Sequence, residues 1–284
     1  MNSNQILRIE QSCNGLLLCC GPYPSSHTGT RYIYNPSTRH YRTIPPPPQY
    51  QKELSWEDWF EFQFYLAFSP QKSPNYEIAC VWSTDHKTHM YKIAIYSSET
   101  CSWRLVYHIF RIPSYRGFYW NGCLNWIKSG IHTLVYFDIA QQVLKSSPFS
   151  DEMDKYSSTV EYYGECMGHL YLILRDKAST SNCFNVFEME IDYSGWKPIS
   201  RVDLGELANQ YGSGVSISYL YYRILKVFVE GEGDEDELKA LILLPYEIIS
   251  YNLKKESFNK ICDYPVDRYV HYSQHDYIGS FANV

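Results

Sequence analysis

The sequence has no surplus of positive charge. Its 25 basic and 31 acidic residues give a formal net charge of -6 and a pI near 5.8, which supplies no general field for holding a phosphate backbone, so nucleic acid is excluded as the expected partner. Long apolar runs are also missing. The strongest, Leu238 to Ile249, is broken by Lys239, Pro245 and Glu247, well short of the roughly 20 apolar residues of a spanning helix, and no membrane partner is expected. The stretch from Met1 to Gln11 lacks the basic leader and apolar core of a signal peptide, so the expected location is cytoplasmic and/or nuclear. Neither a G-x-S-x-G elbow, a phosphate-binding loop nor a dinucleotide fingerprint occurs, and C-x-x-C and H-E-x-x-H are absent. The chain is therefore read as not an enzyme, with no catalytic residue, no cofactor and no metal site.

Methionine is scarce, with 5 residues, whereas aromatics abound: 28 Tyr, 13 Phe and 7 Trp. That balance favours extended strands, where rings pack across neighbours, over helix bundles. Nine cysteines are scattered as an odd set through a chain of ordinary domain size, which reads as reduced, buried thiols and not as a disulfide framework. Cys19 and Cys20 point to opposite faces of a strand and make no chelating pair.

Short alternating runs separated by Gly, Pro, Ser and Asn recur along the chain. Asn14-Gly15 and Asn121-Gly122 are tight-turn signals between apolar runs, and Asn35-Pro36-Ser37-Thr38-Arg39 is a polar turn between Arg31–Tyr34 and Tyr41–Ile44. Five such units can be traced, the fuller copies holding four strands. The fold class expected is an all-β, propeller-like repeat domain of about five to six antiparallel blades with few short helices, spanning 1–284 as a single domain. A sixth, incomplete unit would combine Met1–Gln11 with Val270–Val284. A short helical or irregular excursion is expected within Leu54–Phe64, and one or two helical turns within Asp203–Asn209.

Several units end on an aromatic with a polar neighbour: Tyr41-Arg42, Trp103-Arg104, Trp196-Lys197 and Phe258-Asn259. These rings are read as filling gaps between blades. The acidic run Glu230–Glu237 lacks calcium-loop order and reads as a solvated hairpin loop. His86 and His89 sit in a turn, and His271, His275 and Asp276 share a segment without a further ligand in sight. Pro45–Pro48 reads first as a stiff connection between blades. Trp56, Trp59, Phe60 and Phe62 stand apart from the repeat pattern, and a cluster of this kind on a loop is the candidate partner-binding surface, with capping of the core as the competing role.

Ser12-Cys13-Asn14-Gly15-Leu16-Leu17-Leu18-Cys19, followed by Tyr34-Asn35-Pro36-Ser37-Thr38-Arg39 and Ile44-Pro45, resembles the start of the associated domain of plant F-box proteins. Leu66–Pro70 with Tyr76-Glu77-Ile78, and Ile93–Thr100 before Cys101-Ser102-Trp103, extend the likeness. Tyr277–Phe281 looks like its terminal strand, with Phe281 departing from the usual Leu. The resemblance implies the substrate-recognition module of an SCF-type (cullin-RING) ubiquitin ligase, in which a separate F-box binds the Skp-type adaptor and this domain binds the target protein. An F-box would precede residue 8, where there is no room for one, so adaptor binding is expected only if an F-box is supplied upstream and is assigned to no residue. Two other readings compete: a carbohydrate or small-molecule binding domain with an aromatic pocket, and a hydrolase with paired carboxylates in a central channel.

Overall fold

Among the described residues, β-branched and aromatic runs punctuated by turn residues fold into twenty strands. A computed structural model describes residues 7–21, 29–48, 62–85, 90–110, 117–128, 133–150, 153, 159–175, 183–205, 222–231, 237–244, 246–264, 282 and 284. The first sheet is β1 (Arg8–Cys13), β2 (Leu16–Cys20), β3 (Arg31–Asn35) and β4 (His40–Ile44). The second is β5 (Gln63–Ala67), β6 (Glu77–Asp85), β7 (Met90–Ser97) and β8 (Ser102–Phe110). The third is β9 (Gly117–Trp120), β10 (Cys123–Lys128), β11 (Thr133–Asp138) and β12 (Val143–Pro148). The fourth is β13 (Thr159–Cys166), β14 (His169–Arg175), β15 (Cys183–Met189) and β16 (Trp196–Asp203); the fifth is β17 (Arg223–Glu230), β18 (Glu237–Leu243), β19 (Glu247–Asn252) and β20 (Ser257–Asp263). Each is a four-stranded meander in sequence order. The fold class is the five-bladed β-propeller. Arg8–Gln11 belongs to β1 and pairs with β2, so that segment completes the first blade instead of starting a sixth. Phe64 is in a strand, not in a helical excursion. Residues 54–61 and 206–209 lie outside the described residues; Asp203 Oδ1 accepts the Gly205 N–H at 2.8 Å, as a helix N-cap would.

The turns explain why the meander repeats. Three first hairpins use two-residue turns with both residues at positive φ: Asn14-Gly15 (45° and 87°), Asn121-Gly122 (48° and 80°) and Met167-Gly168 (52° and 84°). This matches the right-handed twist of the flanking strands. In four blades the last hairpin has four connecting residues ending in a left-handed one: Arg39, Cys101, Gln142 and Glu256. The strand-end side chain closes three of these turns. Asn35 Oδ1 accepts from the Ser37 N–H at 2.9 Å, Asp138 Oδ1 from Gln141 at 2.9 Å, and Asn252 Oδ1 from Lys254 and Lys255 at 3.0 and 2.8 Å. The register that follows sets Tyr34 opposite Tyr41, Tyr96 opposite Trp103, Met189 opposite Trp196, and Tyr251 opposite Phe258. The aromatics at the ends of the repeats are thus cross-strand partners in the outer hairpins.

The chain divides into two compact units, one of Met1–Trp126, Tyr136–Lys145 and Ser273–Val284, the other of Ile127–Val135 and Ser146–Tyr272. In the first, β5 is buried on both faces. Phe64 and Leu66 join Leu16, Leu18, Ile33 and Ile78 on one side, while Tyr65 and Ala67 join Ile93, Ile95, Leu124 and Trp126 on the other. Trp126 Nε1 donates to Tyr65 Oη at 3.1 Å and lies over Gly117, where a Cβ would meet it at 2.3 Å. Asn35, fully buried, also donates through Nδ2 to the Ala282 carbonyl at 2.8 Å, and Ala282 and Val284 pack on the same cluster as Leu16 and Ile33. The second unit is built on Ile173, Phe184 and Val186 packed with Val227, Ile242, Ile249 and Tyr251. Each such side chain contributes about 2 kcal/mol.

Two stability predictions follow from this geometry. Asn35→Ala removes a turn acceptor and a donor to the chain end together, and urea unfolding should show a loss of about 2 kcal/mol; an unchanged midpoint would refute that role. Gly168→Ala and Gly195→Ala both place a methyl in open space, but only Gly168 has positive φ. The first should cost about 1 kcal/mol and the second almost nothing.

Candidate recognition surfaces and the clasps beneath them

Three of the four candidate aromatics, Trp56, Trp59 and Phe60, lie outside the described residues. Phe62 is described: half-buried, its ring is stacked on Trp82 at 5.9 Å between centroids and 12° between planes, and it packs against the cluster of Phe64, Cys80 and Ala94. Its side chain therefore serves the core of the first unit. Pro45 lies just after β4, where its carbonyl accepts from Trp103 Nε1 at 2.8 Å, and Pro47 is buried. His86, His89, His271, His275 and Asp276 lie outside the described residues. Among the described residues no three His, Cys, Asp or Glu side chains converge as a metal ion requires, and no helix is long and apolar enough to cross a membrane.

The described ends of the acidic run are neutralised locally. Glu230 pairs with Lys239, and Glu237 pairs with Lys255 and, at 3.2 Å, with Lys239. These contacts hold the Glu237 carboxyl below the ordinary range, the bond from Lys255 contributing most.

First strands carry a repeated device that sequence reasoning missed. In β1, β13 and β17 the register slips at the third residue, leaving Glu10, Glu161 and Leu225 as bulges. The two glutamates are used alike. Glu10 meets Arg31 at 3.1 Å, with 14% and 12% of the side chains exposed, and the Arg31 guanidinium lies 3.7 Å from the Phe64 ring centre in the next blade. Glu161 meets Arg175 at 2.7 Å, and that guanidinium lies 5.0 Å from the Tyr222 ring just ahead of β17. Each is a carboxylate–guanidinium–ring clasp between consecutive blades within one unit. Glu10 stands four residues before its turn and Glu161 six, so aligning the units on their turns does not bring the two together, and nothing local marks them.

Polar side chains complete the joints of the first unit. Gln11 Oε1 accepts from the Leu66 N–H at 2.5 Å and Nε2 donates to the Gly117 carbonyl at 3.2 Å, tying three first strands together. Asn14 Nδ2 donates to the Phe68 carbonyl at 2.7 Å. None of the nine cysteines is in a disulfide. Burial, with Glu10 adding to it, pushes Cys19 up to about 11, and Cys80 is raised by burial as well. Cys101 and Cys262 are exposed, which corrects the expectation of uniformly buried thiols.

Among the described residues few large apolar side chains are exposed. Tyr246, Met167, Ile191 and Ile261 are 77%, 72%, 68% and 58% exposed. Ile261, like the 38% exposed Ile199, is a bulge residue on the outer strand of its blade. Bulges there interrupt an edge that would otherwise invite pairing with another chain. Met167 and Ile191 instead occupy the two turns at one end of the fourth blade.

Comparison with known proteins agrees with the sequence resemblance. The family model described as the F-box associated beta propeller domain matches residues 2–165. The chain is 30% identical to the F-box protein At5g07610 of Arabidopsis thaliana over 307 residues, which covers 97% of this chain and 70% of that protein. It is 26% identical to a second protein of that plant, F-box protein At5g49610, over 159 residues, or 52% of this chain and 43% of that one. Among solved structures it is similar to TolB from Acinetobacter baumannii, with a TM-score of 0.46 and 11% identity over 89% of this chain and 54% of that chain.

The clasps differ in burial and so in expected cost. Glu10→Gln leaves Arg31 buried without its counter-charge and should lower stability by about 3 kcal/mol, most of which Glu10→Gln with Arg31→Met restores. Glu161→Gln should cost about 1 kcal/mol, because Arg175 is 39% exposed. Denaturation of the single and double variants checks both. For the thiols, a raised folded pKa means that stability is complete below the ordinary value near 8.5 and falls as pH rises toward 11. At pH 8, iodoacetamide should label Cys101 and Cys262 first; rapid labelling of Cys19 would contradict its burial.

Proposed function

The chain belongs to the F-box associated beta propeller family, and on that premise we propose that it is the substrate-recognition module of an SCF-type ubiquitin ligase, binding a target protein through the connections between its strands. The observation that carries this reading is the likeness to an F-box protein across 97% of the chain. The architecture supports it. Sheet faces are consumed in packing, while the connections between blades are free to vary without disturbing the meanders. The connection from β4 to β5 carries Trp56, Trp59 and Phe60, the residue types that dominate binding hot spots. Work of this kind is binding and not catalysis. Recruitment to the ligase goes through a Skp-type adaptor when an F-box is supplied upstream of residue 8. The working location is cytoplasmic and/or nuclear, where that machinery resides.

Co-purification from plant cells tests the reading. The chain fused behind an F-box should recover both an adaptor and a target, and the chain without that fusion should recover the target alone. Trp56→Ala, Trp59→Ala and Phe60→Ala together should remove the target and leave the adaptor in place. An unchanged set of partners would discard this surface.

A further inference from the structure

At the turn end of the fourth blade, a strained and solvent-exposed apolar tip stands inside an acidic rim. The turn between β13 and β14 requires positive φ at both residues, and the matching turns of the first and third blades place Asn there. The fourth blade places Met167 instead, at φ 52° and 72% exposed. An unbranched thioether in the left-handed region gains none of the local hydrogen bonding that makes Asn tolerable there. Neither turn geometry nor core packing accounts for the residue.

Beside it, because β14 and β15 are paired neighbours, the turn between β15 and β16 carries Ile191, 68% exposed, and Tyr193 at φ 62°. That turn is held in shape by Glu190 N–H to Gly195 carbonyl and Tyr193 N–H to Glu190 carbonyl, both 2.9 Å, and by Ser194 N–H to Asp192 Oδ1 at 2.9 Å. The first turn is braced by Gly168 N–H to Glu165 Oε1 at 2.8 Å. Both tips are therefore presented on a preset backbone, which lowers the ordering cost of binding.

The charge around them is mostly negative, with Lys197, the exposed cross-strand partner of Glu188, as the one basic side chain at the strand ends among the described residues. Glu165, Glu188, Glu190 and Asp192 flank the tips, and residues 164–169 and 188–195 contain no Lys or Arg. Glu188 contacts the ring of His169, also at this end. Isolated exposed apolar residues need no explanation, but two on adjacent rigid turns inside four carboxylates form a site with a defined complement.

We infer that the turn end of the fourth blade docks a basic segment of a partner protein, in which an aliphatic side chain seats against Met167 and Ile191 while flanking Lys or Arg side chains meet Glu165, Glu190 and Asp192. This deepens the substrate-recognition reading and rests on it, by naming the chemical class of segment received. An acidic or uncharged segment would leave the rim uncompensated, and a second copy of this face would set like charges against each other.

Fluorescence anisotropy with the full chain tests it, using short labelled peptides: one rich in Lys and Arg around a central Leu, the same peptide with Leu replaced by Ser, and an acidic counterpart. The first should bind about tenfold tighter than either of the others, and weaken as salt rises. Met167→Asn, which restores the Asn-Gly turn, should weaken that binding about tenfold while thermal stability stays level or rises. Glu190→Lys with Asp192→Lys should do the same, whereas the triple change at Trp56, Trp59 and Phe60 should leave it intact. Equal affinity for all three peptides, no binding of any, or binding unaffected by Met167→Asn would overturn the inference. So would concentration-dependent self-association abolished by Met167→Asn, which would make this face a contact between copies. In co-purification, loss of target by the Trp56, Trp59 and Phe60 variant with retention by Met167→Asn would reject this site while the recognition reading stands. Retention by both would reject both surfaces.

Discussion

Everything in these meanders depends on where the hairpins set the register. Side chains alternate between faces along a strand, so a slip of one residue would turn every ring on β4, β8 or β20 from its partner toward solvent. The strand-end carboxamide or carboxylate at Asn35, Asp138 and Asn252 prevents that slip by accepting backbone N–H groups of its own turn. A left-handed residue then returns the chain. Cross-strand rings such as Tyr96 and Trp103, with centroids 5.5 Å apart, meet as a consequence. The excess of tyrosine has its place here: Tyr34, Tyr96, Tyr136 and Tyr251 all stand on third strands.

Joining one meander to the next within a unit poses a different problem, because its first strands lie side by side with polar groups between them. β1 and β13 answer it with a bulge that turns a glutamate toward an arginine, and the arginine covers a ring of the following blade. The same contact is nearly dry at Arg31 and open to solvent at Arg175, so one geometry has two energetic weights. In β17 the bulge residue is Leu225; the backbone feature occurs there without the charge, so the bulge does not depend on the ion pair.

Function is then left to what the packing does not consume. Many of the described aromatics are taken up in packing, Phe62 among them, its ring stacked on Trp82. Met167 and Ile191 are apolar residues that the core does not use, set on turns whose backbone is already decided. The two surfaces proposed for recognition are thus separable on this chain: the connection between β4 and β5, and the tips of tight turns.

The sequence by itself determined the strands, the tight turns, the blade repeat and the family. These rest on short-range chemistry: Asn-Gly needs no tertiary partner to prefer positive φ, and Asn35 closes its turn with atoms two and three residues away. Blade number required the structure, because only strand pairing shows that Arg8–Gln11 completes the first sheet. The clasps required it as well, since Glu10 and Arg31 are 21 residues apart and Phe64 belongs to another blade. So did the sorting of apolar residues into core and surface: Phe62 and Met167 look equally apolar in the chain, and only the presence or absence of a neighbouring sheet to take the side chain out of water decides which one stays exposed.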